Sequence, residues 1–91
     1  MLRTIAALAV LAASFATPAS AQTQQGVTIK STFCKNLYSG MRQKPSSRAI
    51  AISRDGEKCH AVWGTSSQSA ANNDALKGCE HGVRKCVLFK V

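Results

Sequence analysis

The residues of this chain whose types could do chemistry are four cysteines, Cys34, Cys59, Cys79 and Cys86, and two histidines, His60 beside Cys59 and His81 two residues after Cys79. Three chemistries compete for them: disulfide pairing, zinc ligation, and a thiolate nucleophile with an imidazole base. Structural zinc takes its ligands as close pairs, Cys-x-x-Cys or His-x-x-x-His, and neither spacing occurs here. His60 follows Cys59 in a segment that reads as a strand, so the two side chains point to opposite faces and cannot act together. His81 would have to serve Cys79 or Cys86, both of which read more simply as bridged. Asp55 and Glu57 stand in and beside a turn, Asp74 and Glu80 on and at the end of a helix, and no two of these acids are placed for shared acid–base work. No serine sits in a nucleophile elbow and no glycine-rich loop opens a helix to cradle phosphate. The expectation is a non-enzyme with no catalytic residue, no metal and no cofactor.

Disulfides need an oxidising compartment, and the first 21 residues read as the address to one. Arg3 gives a short basic start, Ile5 to Phe15 an apolar stretch, and Ala19-Ser20-Ala21 a small-residue cleavage site ahead of Gln22. The apolar stretch is shorter than the roughly 18 to 20 residues a membrane-spanning helix needs, so residues 1–21 are expected to leave as a signal peptide and no transmembrane segment is expected. The product is then a soluble periplasmic or secreted chain of 70 residues. A chain that size hides only about 60% of its unfolded surface. Four cysteines admit three pairings. Cys79 with Cys86 is the most local, because the first ends a helix and the second starts a strand, and it leaves Cys34 with Cys59 as the remainder. In a loop-entropy model the first bridge stabilises by roughly 2.4 kcal/mol and the second by roughly 3.5 kcal/mol, against a typical total of about 5 to 15 kcal/mol.

Charge is the other strong signal: 12 Lys and Arg against 4 Asp and Glu give a net +8, which becomes +7 when Arg3 departs. Outside the inner membrane a basic surface meets lipid headgroups, lipopolysaccharide phosphates, cell-wall polymers and acidic proteins. The basic residues are scattered, with no run longer than Arg84-Lys85, so part of this charge serves solubility alone. The residues singled out as a binding surface are Arg42, Lys44, Arg48, Arg54, Lys58 and Trp63, with Tyr38 near them in sequence. Arg48 and Trp63 fall opposite one another in the hairpin register below, which predicts a cation–π contact between them.

Those residues must be positioned by a small set of elements. Residues 22–30 read as a polar leader, loose from Gln22 to Gly26, with Val27-Thr28-Ile29 a candidate edge strand. From there 31–91 form one domain. Phe33, Cys34, Leu37, Tyr38 and Met41 recur at three and four residues, the face of a helix capped by Ser31 or Thr32 and ended by Pro45. Arg48–Ser53 and Lys58–Trp63 flank Asp55-Gly56, suited to a two-residue type I′ turn. That turn pairs Ile52 with Cys59 and Ile50 with Ala61 on the core face, Ala51 with His60 and Ala49 with Val62 on the other. Thr65 and Gln68 offer a capping box for a second helix with the buried stripe Ala71, Ala75, Leu76 and Cys79, which Gly78 and Gly82 weaken and end. Arg84–Val91 returns as a strand with Val87, Phe89 and Val91 on one face, Cys86 and Leu88 on the other. The predicted class is α+β: a small antiparallel sheet made of the hairpin and the C-terminal strand, with the N-terminal strand as an option, covered on one face by two helices and disulfide-stabilised. The element order is compatible with a split βαβ or ferredoxin-like half-sandwich.

Ser47 to Val91 carries a recognisable string: Ala49-Ile50-Ala51-Ile52-Ser53, Asp55-Gly56, Trp63 before Gly64, the spacing Ser67, Ala71, Ala75-Leu76 and Cys79, then Cys86-Val87-Leu88-Phe89. It resembles an uncharacterised family of small secreted bacterial domains known only as domain of unknown function 4189. The resemblance covers 45 of the 70 mature residues. It implies an α+β core of hairpin, helix and final strand, with a bridge between Cys79 and Cys86, and no activity. Phe33 to Lys44 lies outside it.

The function expected is that of a non-catalytic periplasmic or secreted domain binding an anionic cell-envelope polymer or an acidic protein through its basic surface, nucleic acid not being an expected partner. The alternative is an inhibitor or accessory subunit of a secreted enzyme. A third reading, an enzyme with a free Cys59 or Cys86 as nucleophile, depends on one thiol remaining unpaired.

Overall fold

The computed structural model describes residues 22–81 and 85–91. The expected signal peptide and the positions Gly82 and Arg84 lie outside the described residues. Two strands, β1 (Thr23–Gln24) and β2 (Val27–Thr28), lead into helix α1 (Thr32–Gly40) and a 3-10 turn (Met41–Gln43). Then come β3 (Ala49–Ser53), β4 (Cys59–Val62), helix α2 (Gln68–Glu80) and β5 (Cys86–Phe89).

The main sheet has the order β4-β3-β5, and both neighbours run antiparallel to β3. β4 and β5 are therefore parallel to one another, joined by α2, with β3 inserted between them: a split βαβ unit. The β3–β4 register is the expected one, Ala49 with Val62, Ile50 with Ala61, Ala51 with His60 and Ile52 with Cys59. β3 is buried along its whole length, and its alternation of Ala and Ile decides what lies on each face. Ile50 and Ile52 meet Cys34 and Met41 from the α1 segment, with Val27, Ile29, Val87 and Phe89. Ala49 and Ala51 meet Ala71, Ala75 and Cys79 of α2, with Cys86.

The class is α+β, but the two helices lie on opposite faces rather than together on one. A strand with no polar side chain on either face until Ser53 must be covered twice. The small alanine face accepts a helix that is itself alanine-striped; the isoleucine face takes the helix with larger side chains. One disulfide straps each layer: Cys34–Cys59 ties α1 to β4, with Cα atoms 5.9 Å apart, and Cys79–Cys86 ties α2 to β5 at 6.2 Å.

Local signals place the helices. The Ser31 side chain caps α1 by accepting from the Cys34 N–H at 3.2 Å. Phe33, expected on the inner face, is 69% exposed, because it sits about 100° around the helix from Cys34, whose bridge fixes which side faces the sheet. α2 is capped by Ser67, which accepts from Ala70 N–H at 3.1 Å, and not by Thr65. The Thr65 hydroxyl is turned to the carbonyls of Ser47 and Ser67, and Gln68 donates to Arg48 O at 2.8 Å instead of reaching back. α2 runs through Gly78 to a left-handed cap at His81; a Cβ at Gly78 would run into the His60 imidazole.

The Asp55-Gly56 turn also differs from a two-residue type I′ loop. Ser53 N–H donates to Lys58 O at 2.8 Å and closes a four-residue loop in which Gly56, at φ +80°, has the positive φ and Asp55 does not. Asp55 Oδ1 accepts from Ser53 Oγ at 2.6 Å and from Glu57 N–H at 3.0 Å, an Asx arrangement around a residue that is not at positive φ. The register survives because both loops are centred on the same pair of residues. The type I′ pattern of two positive φ values occurs instead at Gln25 and Gly26, between β1 and β2. That hairpin is the leader expected to be loose. It is ordered by hydrogen bonds between the Gln24 and Gln25 side chains and the backbone of Leu88 and Lys90 and by burial of Val27 and Ile29.

Candidate anion-binding groove

At the open end of the β3–β4 hairpin an open groove of about 1180 Å³ wraps the end of the sheet. Tyr38 and Arg42 contribute from the α1 side, Arg48 and Ala49 from the start of β3, and Leu88 to Val91 from the end of β5. Gln24 and Gln25 close one side and Gln68 and Asn72 of α2 the other. Tyr38 is fixed twice: its ring meets Phe89 edge-on at 5.8 Å and its hydroxyl donates to Lys90 O at 2.8 Å.

Arg42, Arg48 and Lys90 bring three cations to this lining, and no Asp or Glu belongs to it. The acids lie elsewhere, Asp55 and Glu57 in the far turn and Asp74 and Glu80 on α2. Arg48 is oriented by donating from Nη1 to Lys44 O at 3.0 Å. That contact explains a departure from the expected cation–π pair. It is Lys44 Nζ, 4.3 Å from the ring centroid, that lies over Trp63, while the Arg48 guanidinium is turned to the Lys44 carbonyl. Trp63 remains 43% exposed beside this end of the hairpin.

Of the six residues singled out from the sequence, Arg42, Lys44, Arg48 and Trp63 are thus brought to one end of the molecule. Arg54 and Lys58 are not. They stand at the opposite end of β3, where Arg54 N–H donates to Lys85 O and Lys58 pairs with Ser53. Five strand residues separate the groups by about 15 Å. The sequence reading missed Gln24, Gln25, Gln68, Asn72 and Lys90. Lys90 was within reach of the hairpin argument, since a final strand antiparallel to β3 with Phe89 opposite Ile50 carries Lys90 to the Arg48 end. The glutamines carry no local signal for the groove.

All four sulfurs are bridged, so Cys59 and Cys86 have no thiol to offer as nucleophile. Cys59 faces the α1 layer and His60 faces α2, as adjacent strand positions must. Among the described residues no three His, Cys, Asp or Glu side chains gather as a metal site, and no helix is long and apolar enough to cross a membrane. What this end of the molecule offers chemically is fixed positive charge, amide donors and acceptors, and one open indole. No family model, curated protein or solved structure was found to match the chain.

Proposed function

We propose that the chain is a non-catalytic module, exported to the periplasm or secreted, that binds an anionic component of the cell envelope in this groove. The export leader and the kinship of Ser47–Val91 with the secreted family of unknown function belong to the same reading. One observation carries it: Arg42 and Arg48 line a groove to which no Asp or Glu side chain belongs, and no side-chain hydrogen bond or ion pair engages Arg42 among the described residues. Positive side chains gathered at one end repel one another in the free protein, and a bound anion relieves that repulsion. Planar guanidinium forks suit carboxylate and phosphate oxygens.

The test is co-sedimentation of the mature, oxidised protein with purified cell wall and with lipopolysaccharide from about 50 to about 300 mM salt. Binding that weakens with salt and is reduced by Arg42→Gln with Arg48→Gln supports the proposal. Binding indifferent to salt and to both substitutions overturns it.

A further inference from the structure

The proposed groove has a chemistry that selects among anions, and we infer that its ligand is an acidic polysaccharide; the inference rests on the groove being an anion site. Three classes of anion could meet Arg42 and Arg48: an acidic peptide, a compact phosphate or lipid headgroup, and a saccharide chain carrying oxyanions. The edge of β5 disfavours the first. An extended peptide would dock there by adding a strand, but Lys90 N–H and C=O are already paired with the Gln24 side chain, and Leu88 O with Gln25 Nε2 at 2.8 Å. The size disfavours the second, because the open groove of about 1180 Å³, lined from Val91 and Lys90 to Gln68 and Asn72, is larger than one phosphate or headgroup fills.

The remaining polar groups suit hydroxyls. Gln68 uses Nε2 on Arg48 O and on Asn72 Oδ1, which leaves Gln68 Oε1 to accept and Asn72 Nδ2 to donate. Gln25 keeps Oε1 free in the same way. A sugar ring presents hydroxyls that both donate and accept, together with a face of C–H groups that packs on an aromatic surface. Trp63, outside the lining of the groove but 43% exposed at the same end of the hairpin, offers that surface on the part of its ring that Lys44 Nζ does not cover. The geometry therefore reads as oxyanions on Arg42 and Arg48, hydroxyls on the amides, and a ring face on Trp63.

The experiment measures binding of the mature oxidised protein to four probes: polygalacturonate, neutral dextran, polyphosphate and poly-L-glutamate. Variants are Arg42→Gln with Arg48→Gln, Trp63→Ala, and Trp63→Phe as the form that keeps an aromatic ring and the local packing. The inference expects polygalacturonate to bind best, with a loss of about tenfold or more for the arginine pair and for Trp63→Ala, and near-retention by Trp63→Phe. Polyphosphate or polyglutamate binding as tightly as polygalacturonate, or polygalacturonate binding that ignores Trp63→Ala, overturns the saccharide assignment. If these anions still depend on the arginines, the anion groove stands without it. If no probe responds to the arginine pair, both fall together.

Discussion

The side chain of Gln24 pairs with the backbone of Lys90 as a neighbouring strand would: Lys90 N–H donates to Oε1 at 2.6 Å and Nε2 donates to Lys90 O at 3.0 Å. Nε2 also reaches the Tyr38 hydroxyl at 3.1 Å, so a single amide ties the N-terminal hairpin, α1 and β5 together. It also satisfies the outer edge of β5, which β3 leaves open on that side, and an open edge is a template for unwanted pairing.

Gln24→Ala is therefore expected to destabilise the oxidised protein by about 1 to 3 kcal/mol, and to speed amide exchange at Lys90. Gln24→Glu keeps the acceptor for Lys90 N–H but loses both donations, and is expected to fall between wild type and Gln24→Ala. Urea unfolding with hydrogen exchange reads both. An unchanged exchange rate at Lys90 in Gln24→Ala would show that the pairing does not hold the edge.

The two disulfides should contribute unequally. The loop closed by Cys34–Cys59 spans 25 residues and that closed by Cys79–Cys86 spans 7, so Ser replacement of the first pair is expected to cost about 3.5 kcal/mol and of the second about 2.4 kcal/mol on entropic grounds. In so small a domain either loss removes a large part of the total. Denaturant midpoints of the two double-serine variants give the ranking directly. A milder effect for Cys34→Ser with Cys59→Ser would mean that the α1 layer is held by packing of Met41 and Leu37 more than by its strap.

Much of the scaffold was legible because its signals are local. Alternation in Ala49–Ile52, the Asp55-Gly56 turn and the alternation of Cys86–Phe89 each act within a few residues, and together they set the register of β3 with β4 and the faces of β5; the pairing of the cysteines follows from the nearness of Cys79 to Cys86, with Cys34 and Cys59 as the remainder. The leader was not legible. Gln22–Gly26 offers nothing to bury, and its order comes from amide side chains bonding a strand 63 and 66 residues away, an interaction with no sequence period. The expectation of both helices on one face fails because the alanines of β3 make a second buried face, whose small side chains let α2 lie close. The candidate site divides along the same line: Arg42, Lys44, Arg48 and Trp63 gather because the open end of a hairpin gathers them, whereas Arg54 and Lys58 share only the sequence neighbourhood.

The cap of α2 separates two residues that look alike in sequence. Ser67→Ala removes the acceptor for Ala70 N–H and is expected to cost about 1 kcal/mol. Thr65→Val removes only a hydroxyl contact to the Ser47 and Ser67 carbonyls and is expected to cost less than Ser67→Ala. Thermal unfolding of the two variants side by side decides which residue starts the helix.

Gly78 provides the sharpest test of how closely α2 lies on the sheet. In an open helix, replacing an interior glycine by alanine stabilises by about 1 kcal/mol. Here the new methyl would overlap the imidazole of His60, which projects from β4 on the same face as Ala51. Gly78→Ala must either expel that ring or lift the helix off Ala49 and Ala51, and is expected to show no gain or a net loss. In the background of His60→Ala the obstacle is gone, and the same substitution is expected to recover its gain of about 1 kcal/mol. Additive effects in this double-mutant cycle would place the helix further from β4 than the structure does, and would weaken the account of why a chain this short can pack a helix on each face of one buried strand.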